Sequence, residues 1–204
     1  MNNKLAYLFT VVLILQAGCV SVSASRDPRF YGIAALEDNK IKPINLSSDF
    51  AVAVSVIKIP EYLNRPHIVT QDKNHQMHFS QFDRWAESLD NGMTRVIKEN
   101  IAYILPRARI VSYPLDFPSD AAFRLEMEVT RFELDLTGEL LLAVQWAVVD
   151  VGYPKNTVIK RSEFRVPVEN KNYAGAVNAL SAACASLSSE IAQMIFRMSE
   201  VVNP

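Results

Sequence analysis

The chain has 204 residues, 50% of them hydrophobic and 21% charged, which is the composition of a globular fold and excludes a largely disordered one. Lys and Arg total 21 against 22 Asp and Glu, and the resulting charge of −1 contains no basic run, which argues against nucleic acid as a partner. The six glycines form no phosphate-cradling loop, and no G-x-S-x-G elbow is present.

The first element is the apolar run inside FTVVLILQAGCVSVSA. Lys4 supplies a positive flank, Leu5 to Leu15 an apolar stretch, and Ala17-Gly18 the small residues that a signal peptidase needs. A membrane span needs about 20 apolar residues, and Gln16 interrupts this run too early for that. Cys19 directly follows the small pair, so the segment resembles a bacterial lipobox, with Gln16 standing where that pattern usually has Leu. The likeness implies a signal over 1–18, an acylated Cys19 and a polar tether over 19–28, followed by one domain over 29–204. Ordinary signal cleavage nearby is the alternative, and it would leave a soluble periplasmic protein.

Beyond the tether, RFYGIAALE reads as a first strand and DFAVAVSVIKIP (49–60) as a second. In the second, Phe50, Val52, Val54 and Val56 alternate with Ala51, Ala53 and Ser55, the period of two expected of a strand covered on both faces. EYLNRP interrupts the pattern. HIVT, the polar turn QDKN (71–74) and HQMHF (75–79) then predict a hairpin.

Ser80 and Asp83 have the spacing of a capping box, and a helix is expected over 81–105. Its buried stripe would be Phe82, Trp85, Leu89, Met93, Val96, Ile97, Ile101 and Ile104. Asn91-Gly92 is a candidate kink or break, and Pro106 is the stop. A long strand follows in which Phe123, Leu125, Met127 and Val129 alternate with polar residues, before the phase shifts to Phe132, Leu134 and Leu136. Such a shift predicts a bulge. Thr137-Gly138 turns the chain, Leu140 to Val151 returns, and TVIKRSEFRVPV (157–168) adds another strand, with Pro167 at its end or on an edge.

The last element is a helix opened by Asn170 or Asn172. Tyr173, Val177, Leu180, Cys184, Leu187, Ile191, Met194, Met198 and Val201 form its apolar seam. This spacing permits a coiled coil, but the flanking alanines favour close packing on the protein's own sheet. The fold class is therefore α+β, a mainly antiparallel β-sheet with two long α-helices packed on one face.

Candidates for chemistry are few. His67, His75 and His78 lack accompanying cysteines or carboxylates, and His75 and His78 would point to opposite faces of a strand, so surface histidines are expected and no metal site. Glu126 and Glu128 lie on the polar face of a strand, which suits solvation better than acid–base work. Cys184 sits among small apolar neighbours and reads as a buried thiol with no catalytic role. If Cys19 carries lipid, Cys184 has no disulfide partner within the chain. No catalytic residue and no cofactor is expected.

Several segments together resemble the ABC-type transport auxiliary lipoproteins, the PqiC-like family: RFYGIAAL, VAVSVIKIPEYLNRPHIV, RWAESL and GELLLAVQWAVVD, after the lipobox-like Cys19. Asn64 departs from the aspartate expected between Leu63 and Arg65. The resemblance implies a non-enzymatic lipoprotein on the periplasmic face of the outer membrane. Its partners would be an MCE-type periplasmic protein and the inner-membrane complex of that protein, moving lipids or related hydrophobic molecules. Val20, not aspartate, follows the cysteine, which by analogy favours the outer membrane. Tyr62 and Arg65, in the Pro-bounded loop, are candidate partner-binding residues, being of types enriched at interface hot spots; the alternative is that YLNRP only makes a corner. A homo-oligomer is compatible with this reading. The rival functions are a lipid-binding carrier, with ligand between sheet and helices, and an assembly lipoprotein of a secretion or outer-membrane insertion machine.

Overall fold

In the computed structural model the described residues are 26–36, 41–114 and 120–202, so the signal, Cys19 and the start of the tether lie outside them. The fold is organised around a long antiparallel hairpin, β6 (Ala121–Leu134) and β7 (Glu139–Asp150). Asp135 Oδ1 shapes its turn by accepting the Thr137 N–H at 2.8 Å. The pairing steps from Val129↔Val144 to Arg131↔Ala143, so Thr130 is bulged out. That extra residue returns Phe132 and Leu134 to the buried face, as the phase shift in the sequence requires.

β2 (Phe50–Ser55) lies beside β6 and is fully buried along its centre. Phe50, Val52 and Val54 join the main core, while Ala51 and Ala53 form a second, small cluster with Ala121 on the reverse face. The strand stops one residue short of Val56, which is 47% exposed. On its other side β2 pairs with β5 (Ala108–Tyr113), a strand the sequence patterns do not anticipate. β8 (Val158–Pro167) closes the far edge, giving the order β5-β2-β6-β7-β8. Both pairings of β2 are parallel, so the sheet is mixed, antiparallel through β6, β7 and β8 but not purely so. Parallel neighbours need a long crossover, and the chain between β2 and β5 supplies one.

That crossover begins with the expected hairpin, β3 (His67–Gln71) and β4 (Met77–Trp85), and β1 (Arg29–Tyr31) adds to β4 in parallel to make a second, three-stranded sheet. Here the expected helix over 81–105 is corrected. Residues up to Trp85 are strand, and α1 (Leu89–Ile104) starts after Ser88. Ser80 and Asp83 do bond as their spacing suggests, with the Asp83 N–H donating to Ser80 Oγ at 2.9 Å and the Ser80 hydroxyl donating to Asp83 Oδ2 at 2.9 Å. They do so inside a bulge of β4, which advances from Phe79 to Arg84 while β3 advances only from Val69 to His67. Asn91-Gly92 falls in the first turn of α1 and does not break it, because the Gly92 N–H donates to the Ser88 carbonyl at 2.9 Å. From Leu89 onward the expected stripe is the buried one.

α2 (Tyr173–Val202) opens where Asn172 Oδ1 accepts the Gly175 N–H at 2.8 Å. Val177, Leu180, Cys184, Leu187 and Ile191 are buried, and the helix packs on β7, β8 and α1. Both helices thus cover one face of the five-stranded sheet. Its other face carries ion pairs: Arg109–Asp120, Arg124–Glu126, Arg131–Glu133, and Arg165 with Glu139 and Glu163. Glu126 and Glu128 are solvent-exposed there.

Candidate functional site

The EYLNRP corner is built from local turns. Pro60 leads into a 3-10 turn over Glu61–Leu63, in which Leu63 N donates to Pro60 O at 2.9 Å and Asn64 N to Glu61 O at 3.0 Å. Leu63 is buried and pins the turn to the core. Tyr62 is half-buried, and its hydroxyl donates to the Phe132 carbonyl, just past the β6 bulge, at 3.0 Å. Burial, with the Glu133 charge behind it, pushes the Tyr62 phenol above its ordinary value. The side chain of Tyr62 therefore ties the corner to β6. Arg65 goes elsewhere: its guanidinium lies 4.3 Å above the Phe79 ring on β4, and its buried Nε has no hydrogen-bond partner. The structure thus separates the two residues that the sequence groups together.

Phe79 belongs to the small sheet, and that sheet receives the tether. β1 is only three residues long, too short to hold by backbone pairing alone, and Asp83 of β4 supplies the rest. Its carboxylate is 2.8 Å from Arg29 Nη2 and accepts the Tyr31 hydroxyl at 2.9 Å, besides the Ser80 hydroxyl. Burial pushes the Asp83 carboxyl up, but hydrogen bonds from Arg29, Ser80 and Tyr31 outweigh it and hold the group below its ordinary value. With the folded value depressed, this contribution to stability is complete above the ordinary carboxylate range, and it is lost as pH falls through the folded value. Asp83→Ala is expected to cost about 1–3 kcal/mol, since it leaves the Ser80 and Tyr31 hydroxyls without their acceptor. Faster proteolysis before Tyr31, with a lowered thermal midpoint, is the measurement; an unchanged cleavage rate would show that β1 is held by other contacts.

Sequence places Asp83 only as a helix-capping partner of Ser80 and does not single out Arg84, Phe79 or Phe30, because reading 81–105 as helix hides the strand register that brings them together. The histidines are dispersed. His67 is on β3, His75 occupies the turn with a φ of 63°, and His78 is exposed beside Asp72 at 3.3 Å. Among the described residues no three His, Cys, Asp or Glu side chains are grouped to hold a metal. Cys184 is fully buried, and that burial pushes its thiol up to about 12. Thiol titration of the native protein should therefore leave Cys184 unlabelled until the fold is denatured, and rapid native labelling would show the α2 face to be misassigned. The space between sheet and helices is filled by Trp146, Ile97, Ile101 and Leu125, all fully buried. A groove of about 700 Å³ lies instead on the outside of α2, between Leu36 and Ile41 on one wall and Ala182 and Ala185 on the other.

Residues 36–192 match the family model described as the ABC-type transport auxiliary lipoprotein component. No curated protein matches. Among solved structures, one of an uncharacterized protein has a TM-score of 0.69 at 20% identity, over 83% of this chain and 99% of that one. Protein XCC0632 from Xanthomonas campestris, of the DUF330 family, has a TM-score of 0.65 at 9% identity, over 84% of this chain and 97% of that one. At these identities the likeness is one of fold.

Proposed function

The chain belongs to the ABC-type transport auxiliary lipoprotein component family, and on that premise we propose that it is a non-enzymatic periplasmic subunit, anchored by lipid at Cys19, that assists an intermembrane transport system. The observation that carries this reading is the family match over 36–192, preceded in the sequence by a lipobox-like segment ending at Cys19. The anchor membrane is the outer one, since Val20 and not an aspartate follows the cysteine. The partner is an MCE-type periplasmic protein with its inner-membrane complex, and the cargo is a lipid or a related hydrophobic molecule. Of the two loop residues proposed for docking, Tyr62 serves the corner through its bond to Phe132, so the docking role falls to Arg65.

Pull-down of the full chain from native membranes tests this. Recovery of an MCE-type protein with a permease and an ATPase is the expected result. Recovery of secretion or outer-membrane insertion components in their place would overturn it. Phospholipid retained by the purified protein would favour a carrier, a reading that the filled space between sheet and helices does not support.

A further inference from the structure

We propose that the outer face of the three-stranded sheet docks on the surface of the bilayer in which the chain is anchored, with Phe30 and Phe79 entering the headgroup region and Arg65 and Arg84 meeting lipid phosphates. The inference rests on the reading of Cys19 as acylated, and it directs the docking role of Arg65 to the lipid surface and not to the protein partner.

Register places these residues together. Arg84 pairs with Phe30 on one side and His67 on the other, and Phe79 pairs with Val69, two residues along β3 from His67. Directly paired residues, and residues two apart on a strand, project from the same face. Phe30 is 61% exposed and Phe79 49% exposed, and both rank among the large exposed hydrophobic residues of the described chain. Phe30 is paired in register with Arg84 and Phe79 lies beneath Arg65, so each exposed ring stands beside a guanidinium on this face.

Charge adds a second signal at this face. Arg29, Arg95, Arg107, Arg109, Arg124, Arg131 and Arg165 are each paired with a carboxylate. Among the described residues Arg65 and Arg84 have no ion pair, as is also true of Arg26, Arg161 and Arg197, but of the described arginines these two alone have a buried Nε without a partner. Asp83, the buried carboxylate of β4, projects to the opposite face beside Trp85 and is committed to Arg29. Two uncompensated guanidinium groups beside two exposed rings fit an anionic, partly apolar surface, where a bidentate guanidinium meets phosphate and each cation adds to adsorption.

The tether says which surface that is. Phe30 lies on β1, the strand into which the tether runs, and fully extended chain from Cys19 to Arg29 spans at most about 36 Å. An acylated Cys19 therefore holds this face at high effective concentration against the membrane.

The test uses the full chain carrying Cys19→Ala, so that no acyl chain contributes, floated with vesicles of phosphatidylethanolamine and phosphatidylglycerol, and with phosphatidylcholine vesicles as the neutral control. It compares that chain with the same chain bearing Arg65→Gln and Arg84→Gln, or Phe30→Ser and Phe79→Ser. Every version shares one N-terminus, so contributions from residues before Arg26 cancel. The arginine pair is expected to weaken binding to the anionic vesicles at least about tenfold, a difference that disappears in high salt. The phenylalanine pair should weaken binding at both low and high salt. Should either pair lower the melting temperature, Phe30→Ser alone, at the most exposed position, keeps the comparison open. Equal flotation of parent and variants overturns the proposal. So does unchanged flotation with loss of the transport partner in pull-down, which would make the face a protein interface. Failure of the anchor reading shows separately, in whether Cys19→Ala leaves the cell membrane.

Discussion

Cys19→Ala is expected to move the protein from the membrane fraction to the soluble periplasmic fraction. A diacylated cysteine holds by burying its acyl chains, at about 0.8 kcal/mol per CH₂, and two chains make attachment stable where one is marginal. The variant loses both. A second route to the membrane exists on paper, because Tyr173–Glu200 has the length and apolar character of a span, with a mean hydropathy of 1.3. That helix is already used: Leu180, Cys184, Leu187 and Ile191 face the sheet and α1, and inserting it would dismantle the core. Arg65, Arg84 and the two phenylalanines leave a weak residual attachment, which a high-salt wash reduces. Retention in the membrane after that wash, with transport partners deleted, would show that the chain is held by something other than acylated Cys19.

The parts of the fold that sequence shows plainly are those whose signal is local and periodic. The alternation from Phe123 to Val129 and its shift to Phe132 imply a bulge because burial on one face leaves no other way to place both runs. The seams of α1 and α2 are visible for the same reason. β4 beyond Phe79 is hidden because the Asp83 N–H donates to Ser80 Oγ in a strand bulge just as it would at a helix start, and that local bond does not tell the two apart. What decides between them is β1, which arrives from far upstream to pair with Asp83, Arg84 and Trp85. β5 is hidden for a related reason: as a short edge strand in parallel pairing, it takes its place from β2, on the far side of a long crossover.

The candidate site divides in the same way. Two prolines around YLNR show a corner, and the structure has one. Which of its side chains turn inward depends on β6, whose Phe132 carbonyl receives the Tyr62 hydroxyl. The patch of Phe30, Phe79, Arg65 and Arg84 is assembled from two strands and a loop, and no single stretch of sequence displays it. Once β4 is recognised as a strand, the pairing of Arg84 with Phe30 follows from register alone.

Trp146→Ala should be among the most damaging single changes in the domain. Trp146 stands on β7 opposite Met127 and Lys160, is 1% exposed, and faces the helices from the middle of the sheet. Its Nε1–H donates to Ser162 Oγ at 3.0 Å, and the Ser162 hydroxyl in turn donates to Glu190 of α2, so the indole both fills the interface and orients the bond that fastens the helix to β8. Truncation leaves a cavity the size of the ring and is expected to cost about 3–5 kcal/mol, a large share of the roughly 5–15 kcal/mol that holds a domain folded. Trp146→Phe separates the two contributions, since it restores most of the volume and loses only the N–H donor; a net hydrogen bond is worth about 1 kcal/mol. Urea unfolding of both variants measures this, with an unchanged m-value confirming that the same surface is exposed. A loss below about 1 kcal/mol for Trp146→Ala would mean that the helices do not rest on this residue. The expected large loss assigns the GELLLAVQWAVVD segment to holding α2 on the sheet, and leaves contact with the membrane and the transport partner to surfaces that this core keeps rigid.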